Sequence, residues 1–533
     1  MCGILAIIHG TTTPSLQKLS KRGPDEQGSY SDKDIYLGHT RLSIVHPEAG
    51  AQPIIYKNWI VTMNGEIYNA TPSKNETDCF LVPYLLDKHG IDCVHQLDGI
   101  FSFVAYNKIT KQVVVARDAI GVTPLYWSQS PTRPSQITVS SLLAALPLGE
   151  TASIVPPGTT ASFIVGGQPQ FIKWSSPYNN WTVAVPPVPP VPPVDIINIM
   201  QQAVAKRMNG DVPWGVLLSG GLDSTIVATL AVKLAKQIRP DYPVVHSFCI
   251  GLKDSPDVMV AKQVAAEIGT YHTTIEYTIE QGIGHLNSVI QAIETYDLTT
   301  VRASTPMWIL GKSLKARGIK MVLSGEGADE LFAGYLYNLY CPSEADMVAE
   351  CQKKMSQLHA YDCQRANKTL GDWGVETRVP FLDTLVVDLA MNRLPPMFKM
   401  SGTHPDGPKP EKWWLREAFR GIIPDCVVDR TKAQFSDAVG SSWIDSLIQV
   451  AELNISDEDF AATAQTFPYN TPTTKEAYLY RTMFEQQFHQ LDAEKTVLYT
   501  GNSIACSTGD VINWHPEFKT QLDPSGESIL RIH

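Results

Sequence analysis

The stretch Leu217-Leu218-Ser219-Gly220-Gly221-Leu222-Asp223-Ser224 decides how the larger part of this 533-residue chain is read. Trp214-Gly215-Val216 before it is a short apolar run that reads as a buried strand. After it, Ile226, Leu230, Leu234 and Ile238 recur at helical spacing. The segment is therefore predicted as strand, turn and helix. A Ser-Gly-Gly turn has little bulk, so its backbone N–H groups can approach a phosphate closely, and the helix N-terminus favours the same anion. Asp223 repels phosphate on its own. The role that suits it is to hold a magnesium ion that the phosphates also ligate.

A Walker phosphate loop is the competing ATP signature and needs Gly, four residues, then Gly-Lys-Ser/Thr. The one Gly-Lys-Ser here, Gly311-Lys312-Ser313, has Pro306 where the first Gly must stand, so the pattern fails. SGGLDS instead resembles the pyrophosphate loop of the ATP pyrophosphatases, which cleave ATP to AMP and pyrophosphate in order to adenylate a carboxylate or carbonyl oxygen.

Around this loop the texture is α/β. Strands are predicted at Trp214–Leu218, Val244–Ile250, His272–Tyr277 and Lys320–Leu323. Between and around them lie helices at Ile196–Arg207, Val258–Ile268, about Ile279–Thr295 and Thr305–Arg317. Alternation of this kind predicts a doubly wound parallel sheet with ligands at the carboxyl ends of its strands. Beyond about Asp346 the chain reads as mainly helical, and 500–533 as an irregular tail. Residues 1–175 differ: short strand-like runs (Gly3–Ile8, Trp59–Met63, Ile100–Tyr106, Gln112–Ala116, Ala161–Val165) and one helix near Thr77–Lys88 predict antiparallel sheets with helices packed on them. Val185-Pro186-Pro187-Val188-Pro189-Pro190-Val191-Pro192-Pro193-Val194 favours polyproline II and reads as a stiff linker. Three regions follow: 1–175, a linker at 176–195, and 196–533.

Bulk properties narrow the function. A net charge of −11 argues against nucleic acid or a membrane surface as the main partner. Nine scattered cysteines, without a CxxC pair, indicate reduced thiols and a cytoplasmic location. No run is long and apolar enough to span a bilayer.

Two further turns carry charge suited to a phosphate site. Ser324-Gly325-Glu326-Gly327-Ala328-Asp329-Glu330 follows the predicted strand Lys320–Leu323 and crowds three carboxylates into a Gly-rich turn. A helix start accounts for Asp329 and Glu330; Glu326 asks for a metal or a cationic nucleophile nearby. In Arg430-Thr431-Lys432-Ala433-Gln434-Phe435-Ser436-Asp437, Lys432 would stabilise transition-state charge if it faced the phosphates. At the other end, removal of Met1 would give Cys2 both a thiol and a free α-amine, and the amine can act as base for its own thiol.

Cys2-Gly3-Ile4, Arg22-Gly23-Pro24-Asp25, Arg41-Leu42-Ser43-Ile44-Val45 and Asn64-Gly65-Glu66-Ile67-Tyr68-Asn69 occur in that order. They resemble a class II, N-terminal-nucleophile glutamine amidotransferase domain. Joined to SGGLDS, SGEGADE, Val379-Pro380-Phe381-Leu382-Asp383 and the Lys432 segment, they make the whole chain resemble the glutamine-hydrolysing asparagine synthetases. The resemblance implies an αββα sandwich followed by the parallel α/β domain. Its substrates would be ATP, aspartate and glutamine, with Mg2+, and a homodimer is within its range.

The resemblance also assigns roles. Cys2 would attack the glutamine amide, and Asn64 and Gly65 would form the oxyanion hole. Arg41 would take the glutamine α-carboxylate, with the Leu42, Ser43, Ile44 and Val45 backbone, Glu66 and Asp78 completing the pocket. Leu217 and Ile250 would hold adenosine. Ser219, Gly220, Gly221, Asp223, Ser224, Ser324 and Gly325 would hold the phosphates, with Asp223 the metal ligand. Glu326 would act in forming and consuming the intermediate, and Lys432 would stabilise charge. The segments before Arg22 and before Asp78 are short for the family, and Glu76-Thr77-Asp78 replaces a usual Gly-Ser-Asp. Arg302 and Arg378 are candidate partners for aspartate or structural ion-pair residues. Two other functions compete: a synthetase acting on another carboxylate, and a non-catalytic descendant. Retention of Cys2, Asp223 and Glu326 counts against the second of these.

Overall fold

The computed structural model describes residues 1–10, 14–71, 76–179, 193–253, 255–431, 442–498 and 506–520. Most of the proline-rich run and Lys432 lie outside them.

Two six-stranded sheets form the N-terminal part. In the first, the strands lie in the order Thr151–Ile154, Tyr126–Gln129, Ile137–Ser140, Gly3–Ile8, Ile35–Arg41, Glu26–Ser31. In the second, the order is Ile172–Lys173, Thr159–Ile164, Gln112–Arg117, Gly99–Asn107, Trp59–Ile67, Ile54–Tyr56. Strand pairing is antiparallel in both. Period-two alternation shows why both faces are apolar. Ile4, Ala6 and Ile8 pack between the sheets with Val104, Tyr106, Val113 and Val115. Leu5 and Ile7 point the other way, onto Leu19 beside Leu142 and Ala145. On the far face of the second sheet, Phe101, Phe103, Val114 and Ala116 meet Val82, Leu85 and Leu86 of the helix Leu81–His89. Over the first sheet, short 3-10 turns at Gln17–Leu19 and Leu143–Ala145 do the covering among the described residues.

The second part is built on a parallel sheet of five strands in the order Tyr271–Glu276, His246–Gly251, Trp214–Leu217, Met321–Leu323, Glu376–Arg378. Starting from the central strand Trp214–Leu217, chain order runs outward on one side and then returns to the other. The switch falls between Trp214–Leu217 and Met321–Leu323, where a doubly wound sheet opens its crevice. The predicted Ser219 and Ser324 turns leave these two strands at their carboxyl ends.

One helix is longer than predicted. It runs Leu298–Ala316 rather than from Thr305, because the Asp297 carboxylate accepts from Thr300 N at 2.8 Å and caps it seven residues earlier. Pro306 lies inside this helix and cannot donate to the Arg302 carbonyl. Trp443 Nε1 donates to that carbonyl instead at 3.0 Å, so the helix continues. The expectation of an irregular tail is also revised. Residues 506–520 turn back to pack Val511 and Phe518 against Tyr335, Leu336 and Tyr337. No helix among the described residues is long and apolar enough to cross a membrane.

A candidate active site in two parts

The Cys2 end is assembled by strand ends of both N-terminal sheets. Cys2 N donates to Asn64 Oδ1 at 2.8 Å, and its thiol lies 3.9 Å from the Leu42 carbonyl. Burial raises the thiol above its usual value, while the chain's ammonium and the Leu42 contact pull it back. With Oδ1 used, Asn64 Nδ2 is left buried without a hydrogen-bond partner. A buried donor without an acceptor is costly unless a ligand oxygen arrives. Next to it, Gly65 has φ +136°, and a Cβ there would lie 2.0 Å from the Ile100 carbonyl oxygen, so only glycine fits.

The RGPD segment supports the same point. Arg22 Nε donates to the Cys2 carbonyl at 3.0 Å, and Asp25 accepts from Ser43 N at 2.8 Å. Arg41 is nine-tenths buried. It pairs with Glu26 at 2.9 Å and donates to the carbonyls of His46, Pro47 and Ala49, which fixes the following loop. Leu42, Ile44 and Val45 pack into the same core as Trp214 and Val216, so this loop is held by the second domain. Asp78 accepts from Ile67 N at 2.7 Å, and burial lifts its carboxyl to about 6. Glu66, also raised by burial, lies 2.8 Å from Arg378.

The second cleft lies over the sheet's switch point. It is lined by Leu217, Ser219, Gly221, Asp223, Ser224, Ile250, Ser324, Gly325 and Glu326. The first turn is braced from within: Ser224 Oγ contacts Ser219 Oγ at 3.1 Å and donates to the Gly221 carbonyl at 3.1 Å. At Gly220, φ +77°, an added Cβ would lie 2.8 Å from Ala261 N and 2.9 Å from the Val260 side chain. At Gly325 a Cβ would come within 3.0 Å of the Asp223 backbone, so the absence of a side chain lets the two turns touch. Glu326 accepts from Arg365 NH2 at 2.6 Å. Burial raises its carboxyl, and Arg365 opposes that. Arg430 and Thr431 reach the cleft, Arg430 donating to the Gly220 carbonyl at 3.0 Å, whereas Lys432 is outside the described residues.

Sequence reasoning missed Lys412. Its ammonium lies 2.6 Å from both oxygens of Asp223 and 2.6 Å from Asp329, and the residue is buried. A lone lysine before Trp413-Trp414 carries no motif signal, so only the fold reveals it. Lys354 and Arg365, on neighbouring helices, were missed in the same way. Arg302 resolves in favour of the structural alternative: it is bidentate to buried Glu476, at 2.9 and 2.6 Å. The Asp362–Gly371 helix touches both ends. Its Arg365 holds Glu326, and its Asn367 accepts from Arg22 at 2.8 Å.

A braced N-terminal thiol beside an orphaned donor, joined to a pyrophosphate-loop cleft, defines an amidotransferase fused to an ATP-dependent synthetase. The glutamine amidotransferase domain family matches residues 1–154, and the asparagine synthase family matches 195–350 and 340–502. The chain is 41% identical over 567 residues to asparagine synthetase [glutamine-hydrolyzing] 1 of Arabidopsis thaliana, covering 100% of this chain and 94% of the relative. It is 41% identical to the Zea mays asparagine synthetase (99% and 93% covered) and 42% identical to that of Brassica oleracea (100% and 94%). The chain belongs to the glutamine-hydrolysing asparagine synthetases.

Proposed function

We propose that this chain makes asparagine from aspartate, ATP and glutamine, releasing AMP, diphosphate and glutamate. Residues 1–175 hydrolyse glutamine, 176–195 link, and 196–533 carry the synthetase. The observation that carries the two-site assignment is the single helix Asp362–Gly371, which braces the Cys2 carbonyl through Asn367 and Arg22 and holds Glu326 through Arg365.

In the first site, removal of Met1 gives Cys2 the amine that takes its thiol proton. The thiolate then attacks the glutamine side-chain carbonyl. Negative charge gathers on that oxygen, and the orphaned Asn64 Nδ2 and the Gly65 N–H receive it. Arg41 meets the α-carboxylate, exchanging one of its loop partners to do so, beside the Leu42–Val45 backbone. Asp78 and Glu66 meet the α-ammonium. Ammonia leaves, and water releases glutamate from the thioester.

In the second site, oxide is too poor a leaving group for ammonia to displace from a carboxylate. The aspartate side chain therefore attacks the α-phosphorus of ATP, and diphosphate departs. Leu217 and Ile250 contact adenosine, while Ser219–Ser224 and Ser324–Gly325 grip the phosphates. Lys412 and Lys432 offset the charge of the departing diphosphate. Ammonia adds to the acyl carbon, Glu326 takes a proton from it, and AMP leaves. Ammonia is less prone to protonation if it travels inside the protein, along the helix common to both sites.

Among the described residues no three His, Cys, Asp or Glu side chains form a closed metal site. Two carboxylates, Asp223 and Asp329, line the phosphate cleft and would suit Mg2+, which keeps water and phosphate ligands, once Lys412, now paired with both, turns to the phosphates. When bound, it would neutralise phosphate charge. Nine cysteines, none of them in a disulfide, support a reducing, cytoplasmic setting. We also place a homodimer among the states to test by light scattering.

The deciding assay supplies aspartate, ATP, magnesium and glutamine, and measures asparagine, AMP and diphosphate, with Cys2→Ala alongside. Matching products from wild type, and from the variant only when ammonia is added, support the two-site mechanism. Diphosphate without asparagine means that another carboxylate is the substrate.

A further inference from the structure

Groups of the synthetase sheet and its neighbouring helix reach into the glutamine pocket. Besides Asn367, Glu376 Oε2 lies 2.8 Å from the Met1 ammonium, and Arg378 NH2 lies 2.8 Å from Glu66 Oε1. Both residues stand on the edge strand Glu376–Arg378. Arg378 is fully buried and held on several sides. Its Nε donates to Glu376 Oε1 at 2.7 Å, and its NH1 donates to the carbonyls of Arg207 (3.1 Å) and Asn209. A guanidinium with this many fixed partners is a rigid fork. The same residue's carbonyl accepts from Ser324 N at 2.9 Å, and Ser324 opens the second phosphate turn.

The charges around this fork leave room for one more cation. With Met1 attached, its ammonium and Arg378 face three acids, Glu66, Glu376 and Asp78; once Met1 is removed, Arg378 is the permanent cation among them. An amino-acid α-ammonium entering beside Glu66 and Asp78 would add positive charge to this acid-rich set; burial raises both of those carboxyls, and Arg378 opposes the rise.

We infer that Arg378 is a positioning residue of the glutamine pocket, fixing Glu66 through its guanidinium while its own carbonyl fixes Ser324, so that the glutaminase and the ATP site share one rigid residue. This rests on the assignment of glutamine to the Glu66–Asp78 pocket.

The test is Arg378→Lys in the full-length enzyme, which keeps the charge and the backbone carbonyl but loses the fork. Loss of the buried ion pair that holds Glu66 predicts a KM for glutamine raised roughly 10- to 100-fold with kcat little changed. Ammonia-dependent asparagine formation should stay within about twofold. In wild type, ATP with magnesium but without aspartate should shift the glutamine KM by at least about fivefold, and in the variant it should not. An unchanged glutamine KM in the variant overturns the inference. So does a parallel fall in both activities, which would mark Arg378 as merely structural, and so does a wild-type KM indifferent to ATP. If Arg378→Lys does not fold, Glu376→Gln weakens the same fork from one side and must move the glutamine KM in the same direction. A wild type that produces no glutamate from glutamine would instead sink the parent assignment.

Discussion

Lys412 and Asp223 meet with the lysine nitrogen 2.6 Å from each carboxylate oxygen. The same nitrogen lies 2.6 Å from Asp329, so one buried cation holds two acids of two different turns in place at the mouth of the phosphate cleft.

Replacing Lys412 by Met leaves those two carboxylates facing each other in a largely buried place. Breaking a buried pair from one side costs about 3–5 kcal/mol. That cost is read as lower stability; separately, loss of the cation that would offset diphosphate charge is expected to lower ATP-dependent diphosphate release by about 100-fold or more. Glutamate formation from glutamine should persist. Diphosphate release at the wild-type rate would refute a role at this position.

Asn64→Ala removes the orphaned Nδ2 and also the acceptor of Cys2 N. Loss of one oxyanion-hole donor is expected to lower kcat for glutamine hydrolysis by about 100- to 1,000-fold. Ammonia-dependent synthesis, followed by AMP formation, should be retained. Equal loss of both activities would place Asn64 in the fold rather than in the chemistry.

Asp78 gives a pH signature. Burial lifts its carboxyl to about 6, so below that pH it takes up a proton and becomes neutral. A neutral Asp78 attracts an ammonium less, so glutamine binding weakens as pH falls through about 6. The kcat/KM for glutamate formation should bend downward there, approaching tenfold per pH unit below the inflection. In Asp78→Asn that bend should vanish and kcat/KM should be low throughout. A profile flat down to pH 5 in wild type contradicts this.

Glu294 joins the two domains. Its carboxylate accepts from Leu143 N at 2.9 Å and Ala144 N at 2.8 Å, and pairs with buried Lys368 at 2.6 Å. Glu294→Ala removes the acceptor of a buried and a half-buried N–H and the anion of buried Lys368, which keeps only the Tyr126 hydroxyl and the Ile293 carbonyl. A loss of about 3–5 kcal/mol is expected, read as a lower urea midpoint. An unchanged midpoint would show that the interface does not depend on this contact.

The sequence by itself determined the chemistry-bearing turns and the fold class. SGGLDS follows a strand and opens a helix whose apolar residues keep the 3.6 period, so phosphate turn, parallel sheet and crevice follow from local pattern alone. Antiparallel sheets in the first 175 residues were legible for the same reason, because alternation has period two. Local pattern failed where a distant residue completed a local defect. The predicted helix began only at Thr305, just before Pro306, since nothing nearby shows that Trp443 will satisfy the Arg302 carbonyl and let the helix run through the proline. The tail after 500 gave no period, yet Val511 and Phe518 find a core. The tertiary structure alone decided which charges meet. Lys412 reaches Asp223 from 189 positions away, and Arg378 crosses the domain boundary to Glu66. A buried ion pair forms only when folding excludes water around both partners, and neither partner carries a sign of the other in its own stretch of chain.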